Sequence, residues 1–308
     1  GDFMRGPVLA ATVAVVAVVA GVGGAMRKPG TTTPPPTLAP VAKPALPNSY
    51  RELLAMSPEQ LAGVDIAVLN LLCAQGLPGA EKLDIPAAVA KFDEWAGKVK
   101  FQTDRHLYRV SDPRYADHYN YSEAHLLAEL IVQCLQEDCG AHYNHARIND
   151  PDFRDSGDCF IHGLLPGGNG GTCGSMPVLY VAIGRRLGYP MKLVAAKGHL
   201  FCRWEDGKER FNIEGAGEGI SYYEDDHYRT WPVPISDAEM KSGEFLKSMT
   251  PQEELANFLL QRAGCFQAHR RVSEERACLT EALGLMPNSI TLQAALRSTE
   301  HRPMQVAR

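Results

Sequence analysis

The proline-rich segment near the front of the chain most restricts where the polypeptide can fold. Residues 29–47 hold seven prolines, interleaved mainly with threonine and alanine. Each proline fixes φ and removes a backbone hydrogen-bond donor, so the segment is predicted to be extended and semi-rigid. The folded body is therefore expected to begin after this linker.

The stretch ahead of the linker carries no charge from residue 8 to residue 25, which are all apolar or small. Its length of 18 residues is near the lower limit for a membrane-spanning helix. Two interpretations stay open: a membrane anchor within residues 1–28, which the length favours, and a signal peptide cleaved near Gly24 and Ala25. Positive residues flank the stretch on both sides and do not fix its orientation. We expect a membrane-tethered body on the extracytoplasmic side.

Composition excludes some classes of function. The net charge is −5 and no long basic run is present, so no nucleic-acid partner is expected. The eight cysteines are spread out and form no CxxC pair, so neither a metal nor a cofactor is predicted. Their number leaves the question of disulfides open, because a nucleophilic cysteine would have to stay free.

Helical patterns dominate the first part of the body. Ser57 followed by proline and Gln60 indicates a helix start, and one helix is predicted from there to the turn at Gly76. A second helix is predicted from Asp84 and a third from Ser122. Their apolar stripes are typical of core packing.

A glycine-rich loop, residues 166–172, leads into Cys173 and a further predicted helix that stops at Gly188. A phosphate-binding loop is excluded, because no Lys-Ser or Lys-Thr pair follows the glycines. A cysteine at a helix start is placed for thiolate formation, since free N–H groups stabilise the anion. Taken alone, such a cysteine is more often buried packing than a nucleophile.

Three strands are predicted next, the middle one at residues 199–205 and the last at 208–214. Asp206-Gly207 is typical of a two-residue hairpin turn. That turn would place His199 opposite Glu214 on one face of the sheet, where the carboxylate could orient the imidazole toward Cys173. Asn212, two residues back on that face, is an alternate orienter, and Cys202 is predicted to lie on the other face.

The tail, residues 251–286, contains two helical patterns that are followed by Pro287. Their spacing fits a single tetratricopeptide-type hairpin. One such repeat cannot stand alone, so it is expected to cap the body or to bind a protein partner through residues 249–297.

The sequence GGTCGSMPVLYVAIGRRLGYPMKLVAAKGHLFCRWEDG, continued by RFNIEG, resembles the core of the transglutaminase-like superfamily, which has a papain-like cysteine site. The resemblance covers residues 119–285 and is strongest over 159–232, which includes DHYRTWPVPIS. It looks closest to a bacterial branch with tetratricopeptide-like helices after the core. It implies an α+β fold with Cys173 as nucleophile, His199 as base and Glu214 as the acid, a position more often held by aspartate.

The expected organisation is an anchor over 1–28, a linker over 29–47, a helical region over 48–118, a transglutaminase-like core over 119–248 and a helical tail over 249–308. The backbone N–H of Cys173 and the side chains of Asn169 and His162 are candidate oxyanion donors. Two functions are weighed: thiol-dependent acyl transfer or amide hydrolysis on a peptide or protein, and a non-catalytic scaffold in a membrane complex. Fold alone does not establish activity.

Overall fold

The computed structural model describes residues 46–147, 151–215, 217, 219–300 and 302. The predicted anchor and nearly all of the predicted linker lie outside these residues. Among the described helices, none combines the length and apolarity needed to cross a bilayer.

Side-chain caps decide where the first helices begin. Ser57 accepts a hydrogen bond from the backbone N–H of Gln60, whose side chain accepts from the N–H of Ser57. The prediction of a single helix from Ser57 to the turn at Gly76 is wrong. Asp65 accepts the N–H of Ala67 and begins a second helix, so two short helices replace one. The predicted starts at Asp84 and Ser122 are confirmed, since both side chains cap the helices that follow.

The α-helices of the described residues are α1 Tyr50–Leu54, α2 Pro58–Ala62, α3 Ile66–Ala74, α4 Ile85–His106, α5 Glu123–Gln133, α6 Met176–Arg186, α7 Asp225–Thr230, α8 Asp237–Lys241, α9 Pro251–Ala268, α10 Val272–Leu285 and α11 Ile290–Ser298. The strands are β1 Met191–Ala196, β2 His199–Glu205 and β3 Arg210–Ile213. They form an antiparallel sheet in the order β1-β2-β3. Mixed helices and a small sheet agree with the predicted α+β class.

The turn between β2 and β3 lies one residue later than predicted. The N–H of Asp206 donates to the carbonyl of Glu209 at 3.3 Å, so Gly207 and Lys208 are the central turn residues. The Asp206 carboxylate accepts the N–H groups of both Lys208 and Glu209, at 2.7 and 2.8 Å. Aspartate favours the first position of a turn because it can make these bonds. The ladder therefore pairs Glu205 with Arg210, two residues beyond the predicted partner.

Helix α6 is the central helix of the fold. Every residue from Met176 to Gly184 is buried, and the helix packs on β1, β2 and α3 to α5. Gly184 permits the close approach to the sheet, because a Cβ there would lie 2.4 Å from Cγ of Met191. The predicted stop at Gly188 is confirmed by its left-handed φ of +79°.

The tail helix α9 is part of the core. The described residues form one compact unit, and Phe258 and Leu259 of α9 are fully buried. Arg185 of α6 makes a two-point ion pair with the buried Glu254 of α9, at 3.0 and 2.6 Å. Paired, two-point contacts of this kind fix geometry as well as contribute energy. The tail is therefore held against the helix that follows Cys173.

Candidate active site

Cys173 lies in a turn just ahead of α6 and not in the helix itself. The helix begins at Met176, and the carbonyl of Thr172 accepts the N–H groups of Ser175 and Met176, at 3.1 and 3.0 Å. Ser175 Oγ accepts the N–H of Thr172 at 3.0 Å. The expectation of a helix-start cysteine is thus corrected by a few residues, and the half-buried thiol still lies at the amino end of α6.

The glycine-rich loop supports this turn through close backbone packing. A Cβ on Gly163 would lie 1.8 Å from the carbonyl oxygen of Gly157, and a Cβ on Gly168 would lie 2.1 Å from that of Gly163. Only glycine allows such contacts. Thr172 Oγ1, at the end of the loop, donates to the carbonyl of Asp158 at 2.9 Å and fixes the turn to this earlier segment.

His199 is the first residue of β2, and its imidazole contacts Glu214 directly. Nε2 of His199 lies 2.7 Å from Oε2 of Glu214, and only 7% of His199 is exposed. Glu214 follows the end of β3 and makes two backbone hydrogen bonds with Ser221, at 2.8 and 3.0 Å. His199 and Glu214 are thus both held by backbone pairing.

The two-residue change in register alters how this contact is made. The last pair of the ladder is Cys202 with Ile213, so Glu214 continues the ladder nearest Phe201 and lies diagonal to His199. An even shift keeps both residues on the same face of the sheet, whereas a shift of one would have separated them. Diagonal Cβ atoms are about 7–8 Å apart or slightly less, and the glutamate side chain spans that gap.

The thiol of Cys173 is the second group that acts on the His199 imidazole. Since Glu214 contacts Nε2, Nδ1 is the ring nitrogen left for the thiol. Burial lowers the pKa of His199, but its interactions with Cys173 and Glu214 raise it to about 9. The imidazole is therefore protonated at neutral pH, and its charge stabilises negative charge on the adjacent sulfur.

Tyr228 and Trp231, which the sequence reasoning did not select, enclose the imidazole. Tyr228 Oη donates to Oε2 of Glu214 at 3.0 Å, and its ring is stacked on Phe201 with centroids 3.8 Å apart. Burial, and then the charge of Glu214, raise the pKa of Tyr228, so the hydroxyl stays protonated and can donate. The edge of Trp231 meets the His199 ring at 4.8 Å. Both residues lie in the DHYRTWPVPIS segment, where the family resemblance is strong, and this was the sequence signal that could have identified them.

Tyr143 is a further residue that sequence reasoning missed. Burial, with the nearby charges of Cys173 and Glu214, raises the pKa of Tyr143 to about 12. It lies in an irregular segment far ahead of the cysteine, and no sequence pattern marks it. The structure nevertheless places a protonated phenol beside the sulfur.

Asn212, the alternate orienter, is not brought to His199. Its Oδ1 accepts Nε of Arg203 at 2.8 Å, and its Nδ2 donates to Oδ1 of Asp225 at 2.8 Å and to the carbonyl of Tyr223 at 2.9 Å. Arg203 is only 1% exposed, so these bonds satisfy a buried charge. In the observed register Asn212 faces Arg203 and serves that ion pair.

Asn169 and His162 are engaged away from the thiol. Nδ2 of Asn169 donates to Oδ2 of Asp155 at 2.9 Å, and Nε2 of His162 lies 3.3 Å from Oγ of Ser156. Among the described residues, neither side chain lines the cleft at Cys173. The structure therefore does not bring the two predicted oxyanion donors to Cys173, because both side chains make their contacts elsewhere.

Cys202 lies on the sheet face opposite His199, as alternation predicts. It is fully buried, and its Sγ donates to the carbonyl of Pro177 at 3.2 Å. Burial raises the pKa of this thiol. Cys202 is therefore an inert core residue.

A cleft of about 540 Å³ opens at Cys173 and His199, which both line it. Its walls continue along the turn between β1 and β2 and along the tail helices. A thiol, an imidazole and a carboxylate in sequence beside a cavity can perform nucleophilic acyl chemistry.

A family model for the transglutaminase-like superfamily matches residues 88–259, more than half of the chain. The chain belongs to the transglutaminase-like superfamily. The match contains Cys173, His199 and Glu214 and begins within α4, ahead of the region that the sequence resemblance covered. No curated protein and no solved structure matches the chain. This transglutaminase-like membership makes cysteine-dependent catalysis the leading interpretation of the site.

Proposed function

We propose that this transglutaminase-like protein catalyses thiol-dependent acyl transfer or amide hydrolysis, with Cys173 as nucleophile, His199 as base and Glu214 as orienter. The observation that carries the proposal is that Cys173 and His199 line the same cleft, while the Glu214 carboxylate holds the imidazole from its other side at 2.7 Å. Burial of the pair among aromatic rings supports it further, because charge interactions strengthen where water is excluded.

In the first step the Cys173 sulfur attacks the carbonyl carbon of an acyl donor. A C–S bond forms and the carbonyl electron pair moves onto oxygen. Collapse of this intermediate breaks the bond to the leaving amine, which takes the proton held by His199. The product is a thioester on Cys173. Water or an amine then attacks the thioester, His199 accepts the proton of that nucleophile, and the sulfur leaves.

We assign stabilisation of the oxyanion to the backbone N–H of Cys173 instead of Asn169 and His162. The side chains of Asn169 and His162 are engaged with Asp155 and Ser156, away from the thiol. A backbone donor fixed before the reaction lowers the barrier because it needs little reorganisation.

The test is covalent capture of the first intermediate. Incubation with p-nitrophenyl acetate should release one burst of nitrophenol per protein molecule and leave the acetyl group on Cys173, located by mass spectrometry. Cys173→Ala should abolish the burst, whereas Cys139→Ala, at the other half-buried cysteine, should retain it. Acetylation spread over several residues, or a burst that persists in Cys173→Ala, would favour the scaffold function instead.

We also propose that residues 8–25 anchor the protein to a membrane with its body on the extracytoplasmic side, and that α9 and α10 are a tetratricopeptide-like hairpin of the kind found in a bacterial branch of the superfamily. The uncharged run and the proline-rich linker support the anchor. The packing of α9 against α10 supports the hairpin. Membrane fractionation of the full chain, and of a chain lacking residues 1–47, tests the first proposal. Release into the soluble fraction is expected only after truncation.

A further inference from the structure

The helical tail supplies one wall of the cleft beyond Cys173. From the thiol and the imidazole it runs past Ala195 and Ala196 at the end of β1 and reaches Leu260 of α9 and Leu292 of α11. The tail is also bonded to the nucleophile's turn, because Nε2 of Gln261 donates to the carbonyl of Gly174 at 3.3 Å. Helices α9 and α11 therefore form the wall that an acyl group bound at the sulfur would meet.

The lining of this wall is apolar. Phe245, Leu260, Met286 and Leu292 face the space, and Ala195 and Ala196 form the floor beside the reacting pair. Such a surface gains free energy only by contact with another apolar surface. Ligand sites of this size usually combine an apolar wall with a few polar groups that fix orientation.

Apart from the His199 imidazole, the charged side chains of the lining already have polar partners. Lys197 Nζ lies 2.8 Å from Glu239. The carboxylate of Glu244 accepts Ser289 Oγ at 2.8 Å and the N–H of Ile290 at 3.0 Å, at the start of α11.

The remaining charged residue of the lining, Glu253, is paired with Lys247 and accepts the N–H of Thr250 at 2.9 Å. Among these described residues, Lys197 and Glu253 are ion-paired and Glu244 is hydrogen-bonded to neutral donors. A charged ligand would have to displace these partners, so recognition by charge is disfavoured.

We propose that the cleft selects acyl donors whose acyl group carries an uncharged apolar chain, and that the tail helices determine this specificity. The proposal rests on the function proposed for Cys173 and names its substrate class. Two sources share the chemistry: a large apolar side chain next to a peptide carbonyl, and a fatty acyl chain.

Two donor series test the proposal on the full chain. One contains the p-nitrophenyl esters of acetate, butyrate, hexanoate and octanoate, and the other those of N-acetyl-alanine, leucine and phenylalanine. In one series or both, kcat/KM should rise about fourfold per buried methylene until the cleft is full. The series with the steeper rise identifies the source. The succinate monoester, which ends in a carboxylate, should be a poorer donor than butyrate. Cys173-dependent turnover with no dependence on chain length would overturn the proposal.

Variants of one wall residue locate the effect. Leu260→Trp should lower the ratio of kcat/KM for hexanoate over acetate roughly tenfold, and Leu260→Ala should move the optimum to longer chains. Because each ratio is measured within one variant, partial loss of folding cancels. Gln267→Trp, at an exposed position of the same helix, should leave the ratio unchanged. An unchanged ratio in both Leu260 variants would contradict the tail's role.

A binding assay separates this proposal from the catalytic one. Hexanamide should slow the alkylation of Cys173 by iodoacetamide, whereas acetamide and succinamate should not. Protection without turnover of any ester would refute the catalytic function and leave the cleft specificity intact. Turnover without protection, and without preference for longer chains, would refute the specificity alone.

Discussion

Nε2 of His199 and Oε2 of Glu214 lie 2.7 Å apart although the two residues are diagonal, and not opposite, in the antiparallel sheet. A residue directly opposite His199 could reach the imidazole with a shorter side chain. From the diagonal position, the longer glutamate side chain makes the contact. Tyr228 Oη donates to the same carboxylate oxygen and holds it in place. The acid of this site is therefore matched in length to its register.

Glu214→Asp should lower the proposed activity although it keeps the charge and introduces the residue more common in the superfamily. The side chain becomes one methylene too short to reach the diagonal imidazole. Loss of a hydrogen bond to a charged group lowers kcat/KM by roughly tenfold or more. Steady-state kinetics with a p-nitrophenyl ester measures the effect. Activity equal to that of the wild type would show that the reach of the acid is unimportant.

The rate should depend on pH through His199, whose pKa is about 9. The protonated ring supplies the proton to the leaving group, so kcat/KM is expected to fall as pH rises through about 9. Contacts with Glu214 raise this pKa, and Glu214→Gln removes the negative charge. The alkaline limb of the variant should then lie about one pH unit lower. The measurement is a pH profile of kcat/KM for the wild type and for Glu214→Gln. Alkaline limbs at the same pH in both proteins would show that Glu214 does not raise the pKa of His199.

Tyr228→Phe should weaken the site without changing its packing. The ring keeps its stacking on Phe201, while Glu214 loses a donated hydrogen bond. We expect kcat/KM to fall roughly tenfold. The carboxylate also loses a donor that offsets its charge, so the pKa of His199 should rise and the alkaline limb should move to higher pH. Tyr121→Phe, at a tyrosine that is 67% exposed, is the matched control and should behave as the wild type. Equal kinetics for both variants would contradict the positioning role.

Asn212→Ala should affect stability and not the reactivity of the thiol. Its Oδ1 is an acceptor for Arg203, whose buried guanidinium would be left with an unsatisfied N–H. The free energy of unfolding should fall by about 1–3 kcal/mol, as measured by urea denaturation. The alkylation rate of Cys173 in the folded variant should stay at the wild-type value. A rate that falls while stability is unchanged would return Asn212 to the role of orienter.

Local signals predicted the helices where one side chain decides the outcome. Ser57, Asp84 and Ser122 each satisfy an N–H at the start of a helix, and such caps are visible in the sequence. The break at Asp65 was missed because the apolar pattern continues across it, and only the bond to Ala67 shows that a new helix begins. The hairpin turn was misplaced for a similar reason, since Asp206 suits either of two turn positions.

The site could be predicted in part. Alternation along β2 and β3 placed His199 and Glu214 on one face of the sheet. This prediction holds because the register differs from the predicted one by two residues, and an even shift keeps a residue on the same face. The partners that enclose the pair, Tyr143 and Tyr228, come from segments outside the sheet. Their contacts depend on how the whole chain packs, which no periodicity records. Nor did local patterns indicate that the tail would supply a wall of the cleft.

The reactivity of Cys173 tests the central claim most directly. Alkylation by iodoacetamide, followed residue by residue by mass spectrometry near neutral pH, should label Cys173 at least about tenfold faster than the other seven cysteines. In His199→Gln the rate at Cys173 should fall toward that of an ordinary thiol, because the adjacent imidazolium is gone. Slow labelling of Cys173 in the wild type, or a rate that is unchanged without His199, would contradict the account.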